Sequence, residues 1–391
     1  MSVPGSNNID DGVTIDLGLL NSVTYSPQTK IASLGPGAKW GEVYSYLAKH
    51  GRLLAGGRDG GVSAGGVITG GGISYHTCRV GFRCDQVINF EVVLADSRIL
   101  NANKDTNPTL FKALKGGGNN FGILTRFDVI ADALACFVNN VATMPNDHVM
   151  AMWAYHIRQL GGLISIDLLN LDGEEFPKSL TRFLDIPGPR EAMCMPVQDK
   201  VGRQIVTSGQ HDTWYTLTIK ADPALIRKAS SVFATLRTSL EMRLAHASPG
   251  TSFNLTMFLQ PIAVSFTEHS HARDGNMMAL KKITDNAMLV VCATKVDTTK
   301  LNDEIAAPAL WRAMRDFEDY ARAVNGLTGF EYANYSDATQ SPLGNAGDET
   351  MRFLWSVSRQ FDPQGVFQTR VPGGFKLQNA ETDAARLGFK L

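Results

Sequence analysis

Two hydrophobic periods alternate along this chain, and the points where one gives way to the other mark its elements. Residues 13–17 (VTIDL) and 30–34 (KIASL) carry the every-second-residue pattern of short strands, joined through VTYSPQ with a turn at Pro27. Over residues 39–50 the period becomes helical. Trp40, Val43, Tyr44 and Leu47 share one face, and Gly51 is placed to end the helix in a left-handed conformation. The apolar run 87–95 reads as a buried strand, followed by a turn at Asp96 and Ser97 and a second strand over 98–102. Asn107 as N-cap and Pro108 as first helical residue open another helix, and a strand over 122–130 closes the unit. The pattern predicts a compact α+β domain over residues 1–134.

Further on, strand-like runs at 137–143, 163–169, 214–220, 253–259 and 288–295 alternate with helical runs near 147–160, 223–245 and 301–324. Such alternation predicts a second domain, residues 135–328, built as a sheet covered by helices. Residues 329–391 are turn-rich again and include one helix near 349–360.

Composition narrows the function classes. With 37 Lys+Arg against 38 Asp+Glu the net charge is −1, which lacks the cationic excess that nucleic acid or an anionic membrane selects. No apolar run approaches the ~20 residues that span a bilayer. The five cysteines form no CxxC pair, so they read as buried reduced thiols rather than as zinc ligands or a disulfide framework. His148, His156, His211, His246, His269 and His271 lie in no metal-binding spacing, and no metal is expected. The opening MSVPGSNN has neither the basic nor the apolar region of a signal peptide. As it stands the chain is expected in the cytoplasm, with the compartment otherwise unassigned.

One segment is chemically unusual. Ten of residues 51–72 are glycine, and each costs roughly 0.5–1 kcal/mol of backbone entropy relative to alanine. Backbone N–H groups approach a ligand closely only where no Cβ intervenes, and phosphate suits such an array. A glycine-rich surface loop is the plain alternative. No GxGxxG leads from a strand into a helix and no Walker lysine is present, so those two nucleotide motifs are excluded on spacing.

In order along the chain, DGVTIDLGLLNSVTYSP, then GPGAKWGEVYSYLAKHGRLLAGGRDGGVSAGGVITGGGISYHTCRVGFRCDQVINFEVVLADSRIL, then NPTLFKALKGGGNNFGILTRFDV resemble the flavin domain of berberine-bridge-enzyme-like oxidases. These belong to the vanillyl-alcohol-oxidase (PCMH-type) superfamily, and the likeness is to its fungal members. FEYANYSD and FDPQGVFQTRVPGGFKL resemble the closing motifs of that family, so the resemblance covers nearly the whole chain. It implies an α+β, two-domain PCMH-type FAD-binding fold. Residues 1–134 would form the FAD-binding domain and 135–328 a substrate-binding domain, an antiparallel sheet covered by helices. Residues 329–391 would return to the FAD domain.

The resemblance also implies roles. Gly56, Gly57, Arg58, Gly65, Gly66, Gly70, Gly71 and Gly72 would lie along the pyrophosphate and isoalloxazine of FAD. Ser74, Gly81 and Asp85 fall in the same cofactor-binding run. Asn120, Gly122 and Ile123 would contact the adenine side, and Asn334 would reach the flavin from the closing segment. A small organic substrate would pass hydride to flavin N5 while a base takes its acidic proton, and O2 would reoxidise the flavin to give hydrogen peroxide. Tyr335 is the first candidate for the base. Tyr332, two residues earlier and on the same face if the segment is a strand, is the second. A tyrosine packed against the flavin or the core is the plain alternative for both. In 253–260, alternation puts Asn254, Thr256 and Phe258 on one face and Phe253, Leu255, Met257 and Leu259 on the other; one face would meet the substrate, and the first set is taken as the candidate.

Two departures from the family pattern matter. The RGGGHS-like loop whose histidine tethers FAD is absent, and Asp59 stands where some relatives carry a tethering cysteine, so any FAD is expected to be non-covalent. The chain also starts just before VTIDL, where relatives carry an initial sub-domain that supplies half of the phosphate cradle. Either the first exons are lost from the gene model or the product is a degenerate, flavin-poor protein. A non-redox cyclase on the same fold is the other alternative.

Overall fold

The computed structural model describes residues 9–130, 146–156, 161–174 and 210–380, with isolated positions at 6, 177, 181, 183, 195 and 199–201. Two five-stranded antiparallel sheets organise it. The first contains β1 (Val23–Ser26), β2 (Ile31–Leu34), β3 (Val87–Val93), β4 (Ile99–Asn103) and β5 (Ile123–Ile130), in the order β1-β2-β5-β3-β4. The second contains β6 (Asp147–His156), β7 (Gly161–Asn170), β8 (His211–Lys220), β9 (Phe253–Ile262) and β10 (Ala287–Val296), in the order β7-β6-β9-β10-β8.

Helices cover each sheet through the faces their sequences make apolar. α1 (Trp40–Ala48), α4 (Pro108–Leu114) and α8 (Asp348–Phe361) bury Trp40, Leu47, Leu110, Leu114, Leu354 and Val357 with Leu34, Phe90 and Phe127 of the first sheet. Between α1 and α4 lie two short helices, α2 (Ala64–Thr69) and α3 (Thr77–Val80). The long α5 (Pro223–Ala247) starts at Asp222, whose carboxylate accepts the Ala224 N–H, with Pro223 in the first turn. Its Leu225, Ala229, Phe233, Leu236, Leu240 and Leu244 pack with Leu310, Met314 and Phe317 of α7 (Ala307–Ala323) on one face of the second sheet. Each of the leucine, phenylalanine and methionine side chains among these contributes roughly 1.5–3 kcal/mol on burial. Against the opposite face lies α6 (Val264–His271). There a third apolar cluster joins Ile73 and Phe82 of the first domain to Phe258, Phe266 and Val291 of the second and to Phe330 and Tyr332 of the closing segment.

Four expectations are corrected. Residues 13–17 form no strand: Val13 and Ile15 are exposed, and the strand is residues 23–26 instead. A strand exists by virtue of its partner. Residues 23–26 gain β2 through the tight turn at 27–30, where Lys30 adopts φ 58°, whereas 13–17 pair with nothing among the described residues. Residues 147–156 are β6, not a helix. Their Met- and Ala-rich composition favours helix, yet β7 and β9 pair on either side and the neighbours override propensity. Asn107 precedes α4 as expected but caps nothing with its side chain; it sits left-handed, φ 51°, and its amide donates to the Asn101 carbonyl at 2.8 Å. Tyr332 and Tyr335 do not share a strand, since Ala333–Tyr335 form a single tight helical turn. The strand expected at 137–143 lies outside the described residues.

Candidate active site

Between the glycine-rich segment and the face of the second sheet opposite α5 and α7 lies a cavity of about 1820 Å³. That exceeds the roughly 300–1,000 Å³ typical of small-ligand sites, so a large cofactor and a substrate fit together. Its first wall is backbone. Gly57, Gly65, Gly66, Gly70, Gly118 and Gly122 line it, with Arg58, Asn119 and Ile123. The loop at 56–57 is held from behind: the Tyr44 hydroxyl accepts the Gly56 N–H at 3.0 Å and donates to the Gly57 carbonyl at 3.1 Å. The Trp40 ring lies so close that a Cβ on Gly57 would meet it at 2.4 Å. A Cβ on Gly66 would meet no heavy atom within 4 Å, so bare backbone opens onto the cavity there. Gly71 and Gly72 take φ 103° and 85°, which side chains resist, and their carbonyls accept the N–H groups of Cys84 and Arg83 at 2.8 Å.

The opposite wall is made of side chains on β6, β8, β9 and β10: Met150, Met152, Trp214, Asn254, Thr256 and Phe258 among them. Of the two faces of residues 253–260, it is Asn254, Thr256 and Phe258 that look into the cavity, while Phe253, Leu255, Met257 and Leu259 pack under the helices.

Tyr335 stands where the walls meet. Its ring stacks on Trp214 (centroids 5.6 Å, 16° between planes) and meets Phe258 edge-on at 5.5 Å. Arg58 Nη2 donates to its oxygen at 2.7 Å. Burial opposes the Arg58 charge, but the phenol oxygens of Tyr335, Tyr75 and Tyr332 outweigh that effect and raise its pKa above the usual value. The loop carrying Tyr335 is pinned to β8 by Gln340, whose side-chain amide bonds both the N–H and the carbonyl of Thr216.

Tyr332, the second candidate for the base, also lines the cavity and is held firmly by its neighbours. Its oxygen accepts from the Ile73 N–H and from Asn334 Nδ2, both at 2.9 Å, and burial pushes its pKa well above the ordinary phenol value. It braces Asn334, which also donates to the Val67 carbonyl at 3.2 Å and lies so close over Gly70 that a Cβ there would meet its Oδ1 at 2.1 Å.

Several expected cofactor contacts sit behind the cavity wall. Gly56, Gly71 and Gly72 shape the loops just described. The Ser74 hydroxyl accepts the His76 N–H at 3.0 Å and opens α3, which Gly81 ends at φ 81°. Asp85 accepts from Phe82 N–H, Ser270 Oγ and Asn276 Nδ2 at 3.2, 3.2 and 3.0 Å, tying the two domains; burial raises its pKa despite these bonds. Asn120 fastens the closing segment, donating to the Phe375 carbonyl at 2.9 Å and accepting from Gln368 at 3.1 Å. The sequence pattern missed Trp214, Met150 and Met152. Trp214 shares a face with Asp212 by alternation, and the two methionines were hidden by reading β6 as a helix.

The site fits FAD in kind. Four acids (Asp16, Glu42, Asp59, Asp212) and four bases (Lys39, Arg58, Lys295, Arg370) line the cavity, so a diphosphate would be held by the bare backbone rather than by a cationic patch. Glycine-walled cavity and double-sheet fold together define a flavin-dependent oxidoreductase. The comparisons agree. The FAD binding domain family matches residues 1–103. A FAD-dependent monooxygenase of Emericella nidulans is 32% identical, over 96% of this chain and 83% of the relative. The structure of 6-hydroxy-D-nicotine oxidase from Arthrobacter nicotinovorans matches at TM-score 0.68 and 19% identity, over 93% of this chain and 82% of that one. A berberine-bridge-enzyme-like protein of Physcomitrella patens matches at TM-score 0.61 and 17% identity, over 90% and 79%. The chain belongs to the same family of FAD-linked oxidoreductases as the Emericella protein and shares the fold of the berberine-bridge-enzyme-like structure.

Proposed function

We propose that the protein holds FAD non-covalently and oxidises a small organic molecule at a carbon placed beside Tyr335, with O2 as final acceptor, in fungal secondary metabolism. The fungal source of the Emericella relative supports the setting. The observation that carries the chemistry is the Arg58–Tyr335 pair at 2.7 Å, set between a wall of bare backbone and a wall of aromatic side chains. FAD, when bound, supplies the two-electron acceptor for hydride. Gly57, Gly65, Gly66, Gly118, Asn119 and Gly122 would line its groove, with Asn334 fixing the turn at Gly70. A guanidinium only donates, so the Tyr335 oxygen is an acceptor toward Arg58. As a base that oxygen works in its ionised form: the phenolate, its charge met by the fixed Arg58 cation, takes the substrate's acidic proton and becomes the neutral phenol. Trp214, Phe258 and Met152 exclude water and orient a flat substrate.

Non-covalent attachment is supported by the cysteines: Cys78, Cys84 and Cys292 are off the cavity wall, and Asp59 uses its carboxylate to accept the Gly61 N–H at 2.7 Å. A second reading, monooxygenation, is favoured by the name of the Emericella relative. Reconstitution with FAD followed by gel filtration tests the first claim. A flavin-to-protein ratio near one, with all flavin released on acid denaturation, is expected; a ratio near zero defeats the proposal. Turnover under 18O2 then separates the chemistries, since an oxidase leaves the label in peroxide and a monooxygenase places it in product.

A further inference from the structure

The side-chain wall is polar at one end in a way that the redox chemistry does not use. Strand register sets His156, Asn254, Lys295 and Asp212 side by side on β6, β9, β10 and β8, in one rung lining the cavity. The next rung reads Ala154, Thr256, Ala293 and Trp214, and beyond it Met152 and Phe258 face the cavity. Successive rungs on one face lie roughly 7 Å apart. The wall therefore grades from apolar around Tyr335 to polar one to two rungs away.

Within the polar rung, Asn254 Oδ1 is buried with no hydrogen-bond partner among the described residues. A buried acceptor left without a donor costs free energy that a ligand O–H recovers. Lys295, beside it in register, can only donate. Asp212 commits Oδ2 to the Trp214 indole N–H at 2.9 Å, which positions the ring that stacks on Tyr335. A ligand group that suits both neighbours must donate to Asn254 and accept from Lys295. A hydroxyl does both. A carboxylate cannot donate, and an ammonium cannot accept.

We propose that this rung is the distal recognition subsite, and that the substrate is an elongated, largely apolar ring compound with a hydroxyl at the end opposite the oxidised carbon. This rests on reading the Tyr335 end of the cavity as the reaction centre. The full chain, loaded with FAD, is titrated by calorimetry with two rigid probes that differ only in the distal hydroxyl, 6-hydroxy-2-naphthalenemethanol and 2-naphthalenemethanol. The hydroxylated probe is expected to bind about tenfold more tightly or better. In Asn254→Leu and in Lys295→Met its advantage shrinks to within about twofold, while the plain probe binds as before to within about threefold. Equal binding of both probes, binding of neither, or an advantage that survives both substitutions overturns the proposal. Flavin absorbance of the same samples keeps the two readings apart. A chain that takes up no FAD defeats the oxidoreductase reading, and the probe comparison still decides the rung.

Discussion

The two walls of the cavity are built on opposite principles. On the first, Gly57 and Gly70 press against Trp40 and Asn334, and a Cβ at either would land 2.4 or 2.1 Å from its neighbour. On the second, Met152, Trp214, Asn254, Thr256 and Phe258 project from regular strands whose backbone bonds do not depend on them. The first wall resists change at almost any position. The second accepts new side chains without refolding. A surface of the first kind suits a group that every turnover uses again; one of the second kind suits a substrate that differs between relatives.

If that division holds, damage to the two walls separates cleanly. Tyr335→Phe removes one oxygen from the side-chain wall and leaves its stack on Trp214 intact. Turnover is expected to fall by roughly 10²–10⁴-fold, the range for losing a positioned proton-transfer group. FAD content stays unchanged. Stopped-flow bleaching of the flavin band, read against the flavin-to-protein absorbance ratio, checks both halves. A variant that loses flavin as well as rate shows the walls to be one structure.

Gly70→Val strikes the other wall. The new side chain must displace Asn334, breaking its bonds to Tyr332 and to Val67 and forcing an overpacked contact. Overpacking costs roughly 1–3 kcal/mol and each bond about 1 kcal/mol, so FAD affinity is expected to drop by about 100-fold or more. Fluorescence titration with FAD measures it. Unchanged affinity means that the groove does not run past Gly70.

How far each wall was legible in the sequence follows from the same difference. Glycines clustered at 56–72 announced the backbone wall, because their entropic cost demands a reason that composition alone can register. The roles inside the cluster were not legible: Gly66 faces open space whereas Gly56, Gly71 and Gly72 shape the loop from behind, and only coordinates tell these apart. Ser74, Asp85 and Asn120 read as ligand contacts because they sit in the same motifs, yet their bonds hold segments of protein together. Alternation in 253–260 grouped Asn254, Thr256 and Phe258 correctly. Which face met the cavity depended on where α5 and α7 pack, and no local pattern encodes that. The strand β6 was misread because Met and Ala favour helix until two neighbouring strands claim the segment.

At the seam of the two walls, His148 of β6 stands edge-on to Tyr75, centroids 5.3 Å apart, and His76 is buried nearby. Burial, aided by the charges of Arg58 and Arg79 respectively, lowers their pKa values from 6.5 to about 3 and about 4. Both are neutral in the fold and protonate on unfolding below pH 6.5. The unfolded chain therefore binds more protons there, and the stability present above pH 6.5 is lost as pH falls toward 4. Two groups give a slope of roughly 2–3 kcal/mol per pH unit. Urea midpoints at pH 6.5 and 5.5 should differ accordingly, and His148→Gln should halve the slope. A flat profile would show that one or both rings carry charge in the folded protein.

The finest discrimination between the walls comes from Gly66→Ala. A methyl there meets no protein atom within 4 Å, and residue 66 lies in α2 without a left-handed backbone angle. Alanine favours helix over glycine by about 1 kcal/mol, so the FAD-free protein is expected to melt a few degrees higher. The same methyl projects into the cavity, and if the backbone wall holds FAD by close approach, affinity falls several-fold even as stability rises. Opposite signs in one variant, melting point up and FAD affinity down, are hard to obtain from general damage. A methyl that raises both would mean that ligand and backbone are not in contact at Gly66, and that the cofactor leans on the side-chain wall after all.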